Sequence, residues 1–315
     1  MRIVRDFARC RISSPVNSAA LQTLMISPSG NTQDIVSGAE RPFDFGKNWA
    51  GFLQKFNEGR LADAQQSLQT LLKADDLRGC RFLDAGSGSG LFSLAAHRLG
   101  ADVVSFDVDD QSVACTQELR RRSQQTHTTW DVYQGSLRDP AFLSQLGLFD
   151  IIYCWGVAHH SGAMWQAIEN LVQLAGPGGS VVLAIYNDQL YVSRIWRGIK
   201  QIYQRLPVSV RPFYAGLIAF VLLLKRCVVT LLASVLRLMQ FRNPLIPFIN
   251  WYRESQGRGM DLWHDVLDWV GGWPFEVAKP EEVFRFLRDR GFNLTELVTC
   301  SGHGCNEFVF VRVRC

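Results

Sequence analysis

At 315 residues, with 47% hydrophobic and 20% charged residues, the chain is long enough for one large domain or two lobes, and this balance excludes general disorder. The formal charge of +4 is mild, and no arginine-rich stripe interleaved with aromatics marks a nucleic-acid surface. Eight cysteines are scattered without a Cys-x-x-Cys pair, which suits a reducing compartment rather than a disulfide framework.

Residues 1–42 carry Arg2, Arg5, Arg9 and Arg11 and a stretch rich in Ser, Asn, Gly and Pro. They lack the apolar core of a secretion signal and are expected to form a flexible leader. From Phe43, Trp49, Phe52 and Phe56 recur at helical spacing, and a second helix is predicted over Leu61–Leu72. Aromatics so spaced usually pack against a core, although Lys47 and Trp49 could instead reach a ligand.

An apolar run then ends in an acid, and three glycines follow at alternate positions: Leu83-Asp84-Ala85-Gly86-Ser87-Gly88-Ser89-Gly90. A helical pattern opens at once, so this is a strand, a tight turn and a helix N-terminus, where bare N–H groups can approach a ligand. The dinucleotide fingerprint requires a third small residue at a fixed interval, and Leu91 or Ser93 stands there instead. A second strand ends at Asp107, about twenty residues on, where a carboxylate can accept from both ribose hydroxyls of a nucleoside.

The spacing Asp-x-Gly-x-Gly-x-Gly resembles the first motif of class I S-adenosylmethionine (SAM) dependent methyltransferases. The likeness continues along the chain. A third strand, Trp130–Gln134, precedes Gly135-Ser136-Leu137, where the family often has an acid for the adenine amino group. A fourth, from Phe149-Asp150, runs into Trp155-Gly156-Val157-Ala158-His159-His160, where Ser161 can cap the next helix. A Pro177-Gly178-Gly179 turn leads to a fifth strand ending near Tyr186. The resemblance implies a seven-stranded Rossmann-like α/β sheet whose seventh strand is antiparallel between the fifth and sixth. It implies a SAM site built from Asp84, Gly86, Gly88, Gly90 and Asp107, with Ser136 and Leu137 at the adenine and Trp155 as a wall beside the adenosine. His159 or His160 is then a candidate base or positions the acceptor, and Asn187 and Asp188 are candidate acceptor contacts or ordinary turn residues.

About ninety residues, 188–279, separate the fifth strand from the Lys279-Pro280-Glu281-Glu282 helix start, far more than a usual connection. Two apolar runs there, within 212–240, are divided by Lys225-Arg226. Each is too short to span a bilayer, and joining them would put two cations at its centre. Two readings stay open: helices buried in a lid over the active site, or a hydrophobic hairpin resting in the membrane interface. Trp263-His264-Asp265 lies in the same insertion, with His264 as a further acceptor-site candidate.

The tail, 280–315, reads as a helix and two strands that complete the sheet. Cys300, His303 and Cys305 lie in the turn between those strands and read as incidental, so no metal is expected. The expected function is methyl transfer from SAM to an oxygen, or else a nitrogen or carbon, of a small or lipid-like acceptor. The expected setting is cytoplasmic or peripheral at a membrane. An NAD-dependent oxidoreductase and a non-catalytic scaffold of the same fold are the alternatives.

Overall fold

A computed structural model describes residues 57–123, 128–256, 269–300, 302 and 304–314. The predicted leader, Lys47, Trp49, His264 and His303 lie outside the described residues. The chain divides into two compact units, one holding the sheet and one spanning Arg194–Trp273, within the expected 188–279 insertion.

In the sheet unit the order is α1 (Glu58–Leu72), β1 (Arg81–Ala85), α2 (Leu91–Arg98), β2 (Asp102–Asp107), α3 (Asp110–Arg122), β3 (Trp130–Gln134), α4 (Pro140–Gln145) and β4 (Phe149–Trp155). A 3₁₀ turn (Ala158–His160), α5 (Met164–Val172) and β5 (Ala175–Tyr186) follow. The helical unit then takes most of α6 (Tyr191–Arg205), with α7 (Arg211–Met239) and α8 (Ile246–Gln256). The chain returns with α9 (Pro280–Arg288), β6 (Phe292–Val298) and β7 (Cys305–Arg312).

The seven strands lie in the order β3-β2-β1-β4-β5-β7-β6. β1 to β5 are parallel, and β7 is antiparallel between β5 and β6, the arrangement the resemblance implies. Strands buried on both faces read as continuous apolar runs rather than alternations. β4 and the second half of β5 do so because each face has its own cluster. One gathers Phe106, Phe149, Ile152, Ile168 and Phe308. The other gathers Leu68, Phe82, Leu94, Ile151 and Val182 beneath α1 and α2. α1 runs from an Asn57 cap, whose side chain accepts from the Arg60 N–H, to a left-handed Lys73.

Two details of the insertion differ from expectation. The two apolar runs form one continuous helix, α7, of 29 residues, because Lys and Arg are good helix formers and interrupt hydropathy, not backbone. It is long and apolar enough to cross a membrane by length and composition, whereas each run alone was too short. The reading as a buried lid helix does not hold for α7, since only 11% of its most apolar stretch is buried.

Candidate active site

Parallel strands leave their carboxyl ends at one edge, and β1 and β2 are neighbours there, with Ala85 paired to Phe106. The turn after β1 is tied to the end of β2: the N–H groups of Gly86 and Ser87 both donate to the Phe106 carbonyl, at 2.8 and 3.1 Å. Gly86 and Gly90 have left-handed φ values of 86° and 78°. A Cβ on Gly86 would lie 2.4 Å from a Val157 methyl, and one on Gly90 would lie 2.9 Å from Thr116. Glycine is therefore required at both places, by the loop after β4 in one case and by the close approach of α3 in the other.

Asp107 sits at the tip of β2. Its Oδ2 accepts from the Gly88 N–H at 2.9 Å and its Oδ1 from the Asp109 N–H at 3.0 Å. One carboxylate thus joins the glycine turn to the start of α3. Burial pushes the Asp107 carboxyl above its ordinary value, opposed by these N–H donors. Val108, next in sequence, is 69% exposed and offers an apolar surface beside the acid. Its signal in the sequence was its position at a strand end in an otherwise acidic run.

Asp84 plays a different part. It is buried, and the Ser93 hydroxyl donates to it at 2.5 Å. The Ser105 hydroxyl in turn donates to Ser93, and the Trp130 indole to Ser105. Burial pushes Asp84 up to about 7, with Ser93 opposing and the Asp107 charge adding. It supports the turn from beneath.

Three further assignments shift. Leu137 is a core residue, and its carbonyl accepts from the Asn170 side chain at 2.9 Å, so neither is presented to a ligand. The Ser136 hydroxyl accepts from the Arg138 N–H and shapes the turn after β3. Trp155 ends β4, two strands from β2, and its ring stacks on Tyr153 at 5.7 Å and Phe92 at 6.5 Å. At about 4.8 Å per strand spacing, that places it away from Asp107, on the far side of the glycine turn. An open pocket of about 430 Å³ adjoins it, lined by Asp63, Gln66, Thr70, Val298 and Glu307 among others.

The histidine pair lies in the 3₁₀ turn after β4. His159 is fully buried, with its ring 3.9 Å from that of Tyr186, so it packs rather than meets an acceptor. His160 is half-buried, and its Nδ1 lies 2.7 Å from the Pro274 carbonyl. A carbonyl only accepts, so Nδ1 carries the proton and Nε2 holds the lone pair in the neutral ring. Glu276 completes the arrangement. Its N–H donates to the His159 carbonyl, and its carboxylate accepts from the Met164 N–H at the start of α5. Sequence reasoning missed this strap and gave the helix start to Ser161, whose hydroxyl reaches only the Ala163 N–H.

The other candidates serve structure. Asp188 Oδ1 accepts from the Leu190 N–H, a turn that leads into α6. Asn187 accepts from the Asn306 side chain and donates to the Cys300 carbonyl, tying β5 to the β6–β7 turn. Among the described residues no group of three or more His, Cys, Asp or Glu could hold a metal.

The doubly wound sheet, the glycine turn and the carboxylate at the next strand end define a nucleoside-binding α/β fold. Residues 83–181 match the model of a methyltransferase domain family, and over that stretch and its sheet the chain is similar to the class I SAM-dependent methyltransferases. The chain is 34% identical over 99 residues to the magnesium-protoporphyrin O-methyltransferase of Rhodobacter capsulatus, covering 31% of this chain and 41% of that protein. It is 27% identical over 123 residues to the ubiquinone biosynthesis O-methyltransferase of Methylococcus capsulatus, covering 39% and 50%. The chain thus spans half or less of the length of these curated relatives. The structure of PKMT2 from Rickettsia typhi in complex with AdoHcy matches the fold with a TM-score of 0.50 at 13% identity, over 79% of this chain and 52% of that one.

Proposed function

We propose that the chain binds SAM across the ends of β1 and β2 and transfers its methyl group to an oxygen of a small-molecule acceptor. The observation that carries the reading is Asp107, whose carboxylate is held at the strand edge by the N–H groups of Gly88 and Asp109. An exposed apolar residue beside it suits the base of a nucleoside. The residues fit the donor: a carboxylate for ribose hydroxyls and a bare peptide turn for the amino-acid end.

When bound, SAM supplies an activated methyl group. The chain's own residues must align the acceptor and accept its proton if it starts as a hydroxyl or carboxylic acid. His160 is the group suited to the second task, since the Pro274 carbonyl fixes the tautomer with Nε2 as acceptor. Oxygen is favoured over nitrogen or carbon because the two curated relatives described above are named O-methyltransferases. The misplaced third small residue argues against the NAD-dependent reading.

Calorimetry with SAM and its demethylated product tests the proposal. Wild type should bind both, and Asp107→Ala should weaken binding by about 5- to 150-fold, the loss of a hydrogen bond to a charged group of about 1–3 kcal/mol. Affinity unchanged by the substitution would remove Asp107 from the site, and no binding by folded wild type would end the enzymatic reading.

A further inference from the structure

We infer that the helical unit docks α7 in the plane of an anionic lipid bilayer. This goes beyond the methyl-transfer reading and does not depend on it. Phe213, Leu217, Phe220, Leu224, Leu231 and Leu238 recur every three, four or seven residues, and each is more than half exposed. At 100° per residue these side chains fall on one narrow stripe of the helix. Arg211, Lys225, Arg226 and Arg237 all fall on the opposite half.

Apolar area of this extent on a helix marks a surface that meets something other than water. Charge decides what. The whole chain has 33 Lys and Arg against 29 Asp and Glu, yet between Asp188 and Arg253 it has nine basic residues and no acid. Val229, Leu232 and Leu236, each more than half exposed, widen the apolar surface onto the cations' half, and an apolar surface whose charges are all cationic matches hydrocarbon beneath phosphate headgroups. Phe241, fully exposed just beyond the helix, and Leu245 at 60% exposure extend the same apolar margin.

Orientation follows from where the cations lie. A helix of 29 residues is about 43 Å long, so spanning the bilayer would bury Lys225 and Arg226 near its midplane at considerable cost. Lying in the plane, the helix keeps both at headgroup level while the stripe enters the acyl boundary. Arg226 is already turned to the other side, its guanidinium 5.6 Å from the Trp251 ring of α8.

Flotation of the full chain with phosphatidylcholine vesicles, with and without phosphatidylglycerol, tests this. Wild type should float with the phosphatidylglycerol vesicles and be released by alkaline carbonate. Leu217→Glu/Leu224→Glu/Leu231→Glu should lose at least tenfold in partitioning, and Lys225→Gln/Arg242→Gln roughly fivefold per charge. These exposed positions lie outside the sheet unit, and far-ultraviolet circular dichroism and a urea midpoint equal to wild type report that both variants fold. Three outcomes overturn the inference: no flotation of wild type, retention through carbonate extraction, or concentration-dependent dimerisation that the apolar variant abolishes without any vesicle binding.

Discussion

The two units use the same residue types in opposite ways. In the sheet unit Phe106, Phe149, Ile152 and Phe308 are essentially inaccessible, and the buried Asp84 carboxylate is paired with the Ser93 hydroxyl. In the helical unit Phe213, Leu224 and Leu231 face outward, while Lys200 is fully buried, its ammonium donating to the Trp269 carbonyl and lying 4.8 Å from that residue's ring. The first pattern is complete in water. The second becomes complete against a nonaqueous neighbour. Chemistry that depends on fixed geometry belongs to the first, because only a packed interior holds a carboxylate or imidazole in one place.

The strongest test of that division is His160→Gln, which keeps a donor for the Pro274 carbonyl but removes the titrating nitrogen. If the sheet unit carries the chemistry, kcat should fall about 10²- to 10⁴-fold, the usual worth of a positioned general base. The acidic limb of the pH–rate profile should disappear, and affinity for the demethylated donor should stay the same. A fall in kcat with the limb intact would make His160 a positioning residue only.

Asp84 tests whether the interior of the sheet unit is as dry as its packing implies. Its folded value of about 7 lies above that of an exposed aspartate, so the native state keeps a proton that the unfolded chain has lost between about pH 4 and 7. Stability from this group is therefore fully present below about pH 4 and is lost as pH rises through 7, by up to about 4 kcal/mol. Asp84→Asn should flatten that slope in denaturant unfolding followed from pH 5 to 8. A slope that survives the substitution belongs to another group.

How much of this was legible depended on whether the signal was local. From β1 to β5 each strand is an apolar run closed by its own turn chemistry, so Asp84, the glycine turn and Asp107 could be placed from neighbouring residues. The role of Asp84 could not, because the Ser93-Ser105-Trp130 chain of hydrogen bonds links three elements. The surroundings of Trp155 were hidden for a related reason. Its strand was recognised, but the distance from β2 follows from sheet order rather than from sequence distance. In α7 the Lys225-Arg226 pair resembled a boundary on a hydropathy scale, although neither residue breaks a helix.

The smallest expected effect lies where the chain re-enters the sheet unit. Glu276 is 112 positions from Met164, and no local pattern announces that one supplies the missing cap of the other. α5 has no side-chain cap of its own, so the carboxylate both satisfies an open N–H and sets a negative charge at the positive end of the helix. Glu276→Gln retains one acceptor oxygen and loses the charge, which should cost about 1 kcal/mol, read as a lower midpoint in urea unfolding. Because the same residue's N–H holds the His159 carbonyl, a backbone contact the substitution leaves in place, His160 should keep its orientation and kcat should change less than threefold. A large loss of kcat at unchanged stability would show instead that the carboxylate acts on the histidine turn directly, and the strap would then be part of the catalytic apparatus rather than its support.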